Sequence, residues 1–551
     1  KFYIEAKASY QTLINDYPKG KYTPKALIHK AEILMEEKRY KEALKQLERV
    51  LVMYPFSLAV RDATFKIADS YFLNKDYVRA EELYREAVKK WPSFSKANPL
   101  VMFNIGETYF QSKNYKDARD IFFDFINLFP EDISIIDAIL RIGDIYHLEG
   151  RDGDALIMYS EALSRYPSDE DVQTIKMKMA NVGVERPNLT TVSSIFDYTP
   201  YVEPMNTYQD IIEKHPSDPL VHEAMLKKGN LLAAEKRYVE AVMTFKNLLS
   251  LYPEGKIADE GKKSIRDTFF KIIDTYHSQK GFYTLLLTYY KNFDPFLKDI
   301  KDPKILFEIG DSYLQMGLYN KAIESFNAVL TFDSKGVYKR DISIKMGEIY
   351  YLQAKYSDSE SQMKRFIADY PDSAMTDDAR VILGDTLYKQ GRFNDAISEY
   401  TKYTRKKLKD FKTAKIYYNV ANSYKNINNF QEAIKAYKQS KDILNLFKKE
   451  DNKDIIADIE FQILGSLYKM GRYAETIETA DRLTVAYPDD RRTRWALYIA
   501  ADCYKKMKNE DRSIALLTRL ADIAKDELIG NIATAEIKDS GWKGRYKAEY
   551  E

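Results

Sequence analysis

The chain has 551 residues, which is too long for a single hydrophobic core, so it must contain several domains or one repetitive array. Hydrophobic residues make up 45% and charged residues 30%, with only 21 Gly and 17 Pro, a composition that suits a helical protein and excludes a disordered chain. Lys and Arg number 85 against 83 Asp and Glu, so a net charge of +2 provides no broad positive field and excludes nucleic acid as the expected partner.

The first predicted helix places Tyr10 and Leu13 at helical spacing and stops at Tyr17-Pro18. The chain starts at Lys1, without a methionine, inside this pattern, which is typical of the second half of a repeat. We therefore expect further sequence upstream, where a signal peptide or a lipid anchor would lie. No stretch of about 18 apolar residues occurs in the chain, so we predict no membrane-spanning segment in it.

A block of four residues then recurs: a Gly or Ala, an aromatic residue three positions later, a second aromatic nine positions later and a small residue twelve positions later. The instances are Ala68, Tyr71, Tyr77 and Ala80; Gly106, Tyr109, Tyr115 and Ala118; Gly310, Tyr313, Tyr319 and Ala322; and Gly347, Tyr350, Tyr356 and Ser359. We expect the two small residues to face each other from two antiparallel helices, with the aromatic rings beside that contact. The block therefore predicts closely packed helix pairs.

Two kinds of helix-terminating residues separate the predicted helices. Glycines that can adopt the left-handed conformation stand between the two helices of a pair, at Gly150, Gly317, Gly391 and Gly471. Aromatic-Pro dipeptides end the second helix, because proline disfavours helix at the residue before it. These dipeptides are Tyr17-Pro18, Tyr54-Pro55, Trp91-Pro92, Phe129-Pro130, Tyr166-Pro167, Tyr252-Pro253, Tyr370-Pro371 and Tyr487-Pro488.

This arrangement resembles the tetratricopeptide repeat, whose pattern runs Gly, Tyr, Ala, an aromatic and Pro. The period is mostly 37 residues, as Gly310, Gly347, Gly384 and Ala421 show, with the extra residues after the aromatic-Pro pair. In that respect the sequence is similar to the longer repeats of bacterial cell-envelope proteins, including outer-membrane lipoproteins and periplasmic proteins. The resemblance implies an all-α fold, a right-handed superhelical solenoid of about twelve antiparallel helix pairs.

The period breaks between Ser168 and Met205, where residues 181–205 contain three prolines and little helical spacing. We accordingly predict an N-terminal array (1–170), an irregular connector or insertion (171–206), a C-terminal array (207–525), and a capping helix with a tail (526–551). The irregular segment is either a connector or divergent repeat, or a loop that contacts a partner through Phe196 and Tyr198.

The sequence contains no pattern that indicates catalysis. The five histidines form no metal-ligand pair, since prolines separate His215 from His222, and no phosphate-binding loop or nucleophile motif occurs. The single Cys503 cannot form an intramolecular disulfide and is expected to be a packed small residue. We therefore predict a protein that is not an enzyme, without cofactor or metal.

In the family that this sequence resembles, first-helix residues line a concave groove, and the residue after the Gly or Ala points into it. Eleven repeats show this position, and eight of the residues there are acidic. The eleven residues are Glu32, Asp69, Glu107, Asp144, Asn230, Asp311, Glu348, Asp385, Asn422, Gly465 and Asp502. Aromatic residues follow three positions after these residues in several repeats. One repeat differs from the acidic pattern, since its first helix carries Lys415, Asn419 and Asn422. Such a surface would suit extended basic segments, although exposed acids can also be merely solvated.

The predicted partner-binding residues combine these groups. They are Asp69, Phe72, Glu107, Phe110, Asp144, Asp311, Glu348, Tyr351, Asp385, Tyr388, Lys415, Asn422, Tyr468 and Asp502 in the groove, with Phe196 and Tyr198 in the irregular segment.

By resemblance, the expected function is a non-catalytic scaffold that assembles or tethers protein components of a bacterial envelope complex, in the periplasm or at the periplasmic face of the outer membrane. One alternative is a periplasmic superhelical scaffold for exopolysaccharide secretion, in which aromatic rings stack on sugars. A cytoplasmic regulatory module is a third alternative.

Overall fold

The computed structural model describes residues 2–167, 171–185, 203–405, 409–447, 449–525 and 527–550. Twenty-nine α-helices and no β-strand occur in those residues, which confirms the predicted all-α class. The chain divides into two compact units, Lys1–Lys271 and Ile272–Glu551. The division lies inside the helix Lys256–Ser278, and the segment 171–206 lies within the first unit.

The helices of the first unit are α1 (Tyr3–Asp16), α2 (Thr23–Glu36), α3 (Tyr40–Met53), α4 (Ala59–Leu73), α5 (Tyr77–Lys90), α6 (Pro92–Lys96), α7 (Pro99–Gln111), α8 (Tyr115–Leu128), α9 (Ile135–Leu148), α10 (Asp152–Arg165), α11 (Val172–Glu185), α12 (Pro204–Lys214), α13 (Val221–Ala234) and α14 (Tyr238–Leu251), followed by α15 (Lys256–Ser278), which continues into the second unit.

The second unit continues with α16 (Phe282–Lys291), an irregular turn at Phe293–Leu297, α17 (Pro303–Gln315), α18 (Tyr319–Phe332), α19 (Lys339–Leu352), α20 (Tyr356–Asp369), α21 (Thr376–Lys389), α22 (Phe393–Thr404), α23 (Phe411–Asn426), α24 (Phe430–Leu444), α25 (Lys449–Lys469), α26 (Tyr473–Ala486), α27 (Arg491–Lys506), α28 (Glu510–Ile523) and α29 (Leu528–Tyr550).

Most helices form pairs in which a first helix is joined to a second helix by a short turn, as in α4 and α5 or α21 and α22. Second helices then pack against the first helix of the next repeat, as α20 does against α21. First helices of successive repeats also contact each other, for example α2 with α4 and α19 with α21. Within each unit, the first helices therefore share a surface, which we call the first-helix face.

The turns inside the pairs place one residue in the left-handed region. Gly150, Gly317, Gly391 and Gly471 have φ values of 75°, 73°, 77° and 72°, as the sequence predicts. Other repeats carry a side chain at the same position: Lys38, Lys75, Lys113, Lys236, Lys280, Ala354, Asn428 and Lys508, with φ values between 57° and 63°. These residues are strained, because a Cβ atom disfavours positive φ.

Replacing Ala354 by glycine should therefore stabilise the α19–α20 pair by about 1 kcal/mol. The reverse change, Gly391→Ala, should destabilise the α21–α22 pair by a similar amount, although its new Cβ would have no neighbour within 4 Å. Hydrogen exchange of the amides in these helices measures both effects. Equal protection in Ala354→Gly and in the parent protein would show that the turn conformation carries no strain.

The first-helix glycines lie against aromatic rings of the second helix. A Cβ atom added at Gly384 would lie 2.6 Å from Cε1 of Tyr400, and one added at Gly106 would lie 2.7 Å from Cε1 of Phe122. Each glycine thus accommodates the aromatic ring four residues after the small residue of the second helix. The predicted contact between small residues is also present at Gly347, whose carbonyl oxygen accepts a hydrogen bond from Ser359 Oγ at 2.9 Å.

Part of the segment predicted as an irregular connector is helical, which corrects that prediction for residues 172–185. Helix α11 forms because Ile175, Met179 and Val182 recur at helical spacing and pack into the core beside α10. It contacts α12 as a first helix contacts its second helix. Residues 186–203 connect α11 to α12 in the sequence. In a regular pair the connection is much shorter, for example residues 74–76 between α4 and α5. Helices α11 and α12 are therefore the two helices of one repeat.

Candidate functional site

The acidic residues predicted to line the groove mostly have partners within the protein. Asp69 is only 3% exposed, and it accepts hydrogen bonds from the hydroxyl of Tyr84 on α5 and from Nδ2 of Asn104 on α7, the latter at 3.1 Å. Lys66 Nζ lies 3.3 Å from its other oxygen. One carboxylate thus joins its own second helix to the first helix of the next repeat.

The same connection recurs in both units. Asp144 accepts from Tyr159 at 2.8 Å and from Lys178 at 2.7 Å, and Asp385 accepts from the hydroxyl of Tyr400 and, at 3.1 Å, from Asn419. An amide can replace the acid, since the hydroxyls of Tyr437 and Tyr208 lie 2.5 Å and 2.9 Å from the side-chain oxygens of Asn422 and Asn181. We call these carboxylates and amides, with the side chains that contact them, the polar ladder.

Cationic side chains contact the remaining carboxylates of the polar ladder. Arg141 of α9 donates through two nitrogens to the carboxylate of Glu107 on α7, which is 8% exposed. Asp311, also 8% exposed, accepts from Lys345 and contacts Nε2 of His277 at 2.9 Å. Asp502 is half-buried and lies 2.5 Å from the hydroxyl of Tyr468 and 3.1 Å from Lys506.

Several positions of the first-helix face are not part of the polar ladder. Glu348 and Lys415 are exposed, and neither makes a hydrogen bond or ion pair in the part of the chain that the structure describes. A Cβ atom at Gly465 would have no neighbour within 4 Å. In the first unit, Lys25 of α2 and Asn230 of α13 are likewise exposed, and neither makes a hydrogen bond or ion pair within the described ranges, so open positions occur in both units.

The predicted aromatic residues are half-buried and pair across the turn of each repeat. The ring centroids are 6.0 Å apart for Phe72 and Tyr77, 5.9 Å for Phe110 and Tyr115, 6.0 Å for Tyr351 and Tyr356, 5.4 Å for Tyr388 and Phe393, and 6.5 Å for Tyr468 and Tyr473. These rings therefore close the end of each helix pair and expose only part of their surface. Phe196 and Tyr198 lie outside the described residues.

The electrostatics of the polar ladder reflect burial. Burial and the adjacent carboxylate of Asp69 raise the pKa of Tyr84 well above its ordinary value, so this hydroxyl stays protonated and donates. Burial likewise raises the pKa of Asp385, against the opposing hydrogen bond from Tyr400. Burial would raise the pKa of Asp311 as well, but the hydrogen bonds from His277 and Lys345 outweigh it and lower that pKa.

Two carboxyl groups, those of Glu308 and Asp274, lie close together in the second unit. Glu308 on α17 is 4% exposed, and burial, followed by the neighbouring Asp274, raises its pKa to about 7. Lys304 Nζ lies 2.7 Å from Asp274 and 3.7 Å from Glu308, and His277 is the other titratable side chain nearby. The hydrogen bond from Lys304 lowers the pKa of Asp274, so Glu308 is the carboxyl of this pair that titrates close to neutral pH.

Because the pKa of Glu308 is raised in the folded state, the folded protein binds a proton that the unfolded chain releases near its ordinary pKa of 4.5. Its stabilising contribution should be present below pH 4.5 and lost as pH rises through about 7. Glu308→Gln should remove this pH dependence and raise the melting temperature at pH 8. The exposed Glu324→Gln is the control, and an unchanged pH profile in Glu308→Gln would contradict the assignment.

A cavity of about 440 Å³ opens between α23, α24 and α25 in the second unit. Its lining residues are Phe411, Lys415, Tyr418, Ser440, Leu444, Asp454, Ile455 and Asp458. It includes Lys415, the cation predicted from the sequence, together with aromatic and aliphatic walls that sequence reasoning did not single out. A volume of this size lies within the range of binding pockets for small groups.

The described residues contain no group of three or more His, Cys, Asp or Glu side chains placed to hold a metal ion. Cys503 is buried, and burial raises the pKa of its thiol to about 11, as suits a packed small residue. Over the same described ranges, no helix is both long and apolar enough to cross a membrane.

Sequence reasoning missed the partners of the acidic residues, although a signal for them exists. In several repeats the tyrosine stands fifteen positions after the acid, as for Asp69 and Tyr84, and the cross-repeat partner stands thirty-four positions after it, as for Asp144 and Lys178. These spacings equal the distance to the second helix and approximately one repeat. They could have indicated that the acids are structural.

Models of the tetratricopeptide repeat match residues 28–95, 100–132 and 223–255 in the first unit and residues 414–443 and 495–525 in the second. A family model described as an outer membrane lipoprotein matches residues 299–418. No curated protein matches the chain significantly.

Among the solved structures that are similar to the chain, three with 14% identity cover most of their own length. The APC/C hetero-tetramer Cut9–Hcn1 covers 92% of this chain and 95% of its own, with a TM-score of 0.30. The C-terminal part of a TPR repeat-containing protein from Cytophaga hutchinsonii covers 48% and 98%, with a TM-score of 0.40, and PilF from Pseudomonas aeruginosa covers 42% and 97%, with 0.30. Since repeat models match segments of both compact units, the chain is a tetratricopeptide repeat protein.

Proposed function

We propose that this protein is a non-catalytic scaffold that assembles or tethers protein components of a bacterial envelope complex through its first-helix face. The match of residues 299–418 to an outer membrane lipoprotein family supports a location in the periplasm or at the periplasmic face of the outer membrane. Repeats of this kind bury their cores between neighbours and leave one extended surface for partners.

The observation that carries the proposal is the distribution of unpaired charge. In the polar ladder the carboxylates already have partners, so they hold the first helices in register and offer little free charge. Glu348 and Lys415 are exposed and unpaired in the described part of the second unit, and Lys415 also lines the cavity. Partner contacts are therefore expected along α19, α21, α23 and α25, with the paired acids acting as structural supports.

Site-specific photo-crosslinking in cells tests this proposal. Glu348→p-benzoylphenylalanine and Lys415→p-benzoylphenylalanine place the crosslinker on the first-helix face, and Lys438→p-benzoylphenylalanine, exposed on second helix α24, is the matched control. We expect discrete protein adducts from the first two positions, at least about tenfold above the control, because contacts at a fixed interface are local.

Other outcomes of the crosslinking experiment would reject the scaffold. Equal labelling at Lys438, or no protein adduct at either first-helix position, would contradict binding through this face. Retention of polysaccharide without a protein adduct would favour the exopolysaccharide alternative. Fractionation of the crosslinked cells tests the envelope location separately, because adducts confined to the cytoplasm would contradict it.

A further inference from the structure

The loops that join consecutive repeats expose large apolar and aromatic side chains near the start of the first unit. In the loop between α3 and α4, Phe56 is fully exposed and Leu58 is 88% exposed. Val52 in the last turn of α3 is mostly exposed, and so are Tyr17 and Tyr22 in the loop between α1 and α2. A side chain that is fully exposed lines no pocket. These residues therefore project from the protein as separate tips.

Internal contacts hold three successive junctions side by side. We define a junction as the last turn of a second helix together with the connection to the next first helix, here residues 13–22, 50–58 and 87–98. The hydroxyl of Tyr54 donates to the carbonyl oxygen of Pro18, which joins the first junction to the second. Arg61 directly follows the second junction, and its guanidinium carbon lies 4.1 Å from the ring centroid of Phe94 in the third. The three junctions therefore form one continuous edge, which we call the junction edge.

The junction edge is basic. Its three junctions carry five Lys against a single acid, Asp16. Extending each junction by two residues into its second helix adds two Arg and two Glu, so the excess of positive charge is unchanged. One lysine, Lys96, lies 3.9 Å from Asp124 of α8. The other four are exposed and make no ion pair within the described ranges; they are Lys19, Lys21, Lys89 and Lys90.

The two junctions that follow in the same unit have the opposite charge. Residues 125–134 and 162–171, defined in the same way, carry one Arg against five Asp and Glu. Ile133, in the first of them, is 94% exposed. An exposed apolar side chain is thus a recurrent feature of the junctions. Its combination with unpaired lysines distinguishes the junction edge.

We propose that the junction edge binds the surface of an anionic phospholipid bilayer, with Phe56 and Leu58 inserted below the headgroups and the lysines against the lipid phosphates. Binding of this kind increases with the apolar area that enters the interface and with electrostatic attraction to anionic lipid. Tyr17 and Tyr22 suit the level of the headgroups, because a tyrosine has an apolar ring and a polar hydroxyl. This surface is distinct from the first-helix face, so the inference goes beyond the proposed scaffold function.

A bilayer fits the junction edge better than a protein or a nucleic acid does. Protein interfaces are depleted in lysine and enclose their apolar residues in a packed core, whereas Phe56 and Leu58 stand out singly beside unpaired lysines. Aliphatic tips such as Leu58 and Val52 offer no ring on which a base can stack. A fluid bilayer accommodates separate tips without a complementary shape, and its anionic headgroups match the excess of lysine.

Flotation of the full chain with large unilamellar vesicles tests the proposal. Vesicles of phosphatidylethanolamine and phosphatidylglycerol are compared with neutral vesicles of phosphatidylcholine. We expect the parent protein to bind the anionic vesicles at least about tenfold more tightly than the neutral ones. Phe56→Ser combined with Leu58→Ser, and separately Lys19→Glu combined with Lys21→Glu, should each weaken this binding at least about tenfold.

The matched control is Ile133→Ser, which removes an equally exposed apolar side chain from an acidic junction and should change vesicle binding less than about twofold. Because the substituted side chains are exposed, the melting temperature should stay the same in all these variants. An environment-sensitive NBD dye attached to Phe56→Cys or Ile133→Cys reports insertion directly, since the native Cys503 is buried. Its emission should rise and shift to the blue with anionic vesicles in Phe56→Cys and stay unchanged in Ile133→Cys.

Several outcomes would overturn the proposal. They are no binding to the anionic vesicles, equal binding to phosphatidylcholine, and a loss in Ile133→Ser as large as in the double serine variant. Protein adducts in cells from Phe56→p-benzoylphenylalanine, without vesicle binding, would assign the junction edge to a protein and reject the bilayer. The scaffold function is tested separately, because the double serine variant should keep the adducts formed at Glu348. Absence of those adducts from a parent protein that binds vesicles would contradict the scaffold alone.

Discussion

Replacing Arg141 by methionine should lower the free energy of unfolding of the α7–α10 region by about 2 to 3 kcal/mol. The guanidinium donates through two nitrogens to Glu107, lies 3.1 Å from Asp144 and stands over the ring of Phe110 at 4.6 Å. Without it, the carboxylate of Glu107 would stay buried without a counter-charge. The range is below that for a fully buried pair, because the Arg141 side chain is 32% exposed.

A double variant separates charge pairing from packing. Glu107→Met combined with Arg141→Met should recover at least half of the loss, since both charges then leave the buried site together. Asp144 keeps its contacts with Tyr159 and Lys178 in both variants. Hydrogen exchange of the α7 to α10 peptides gives the local free energies. If the single and double variants were equally unstable, the loss would reflect the Phe110 contact and not the charge pair.

Replacing Gly384 by alanine should destabilise the α21–α22 pair by about 1 to 2 kcal/mol. The new methyl group would lie 2.6 Å from Cε1 of Tyr400, which is 1% exposed and whose hydroxyl donates to Asp385, so the ring cannot move aside freely. The cost of this overpacking exceeds the gain of about 1 kcal/mol that alanine normally brings over glycine inside a helix.

The matched control for Gly384 is Gly465, which also lies inside a first helix. A Cβ atom there meets no other atom within 4 Å, so Gly465→Ala should stabilise α25 by about 1 kcal/mol. Opposite signs for the two substitutions, measured by hydrogen exchange of α21 and α25, are the expected result. Stabilisation by both would show that Tyr400 does not limit the approach of the two helices.

The geometry also changes the expected effect of charge reversal on the first-helix face. Replacing Asp69 or Asp385 by a cation would remove the acceptor of the tyrosine hydroxyls that donate to these carboxylates. A loss of partner binding could then not be separated from a loss of structure. The exposed and unpaired Glu348 and Lys415 are better positions for testing recognition. A binding experiment should therefore use them and not the residues of the polar ladder.

The sequence by itself determined the helical repeat and the residues at which its helices end. The turn glycines at Gly150 and Gly391 have positive φ, and second helices end at aromatic residues such as Tyr166 and Tyr370 immediately before proline. These features are local, because they depend on backbone freedom at glycine and on the restriction that proline places on its neighbour. They can be read from spacing without knowing which helices meet.

Only the tertiary structure decided which polar groups are available to a partner. Asp69 and Glu348 occupy the same position of the repeat, yet one is buried with three partners and the other is exposed without any in the described residues. The difference depends on residues fifteen and about thirty-four positions away, on other helices. The cavity at Ser440 is likewise absent from any local pattern, because a void is defined by the side chains of three helices together.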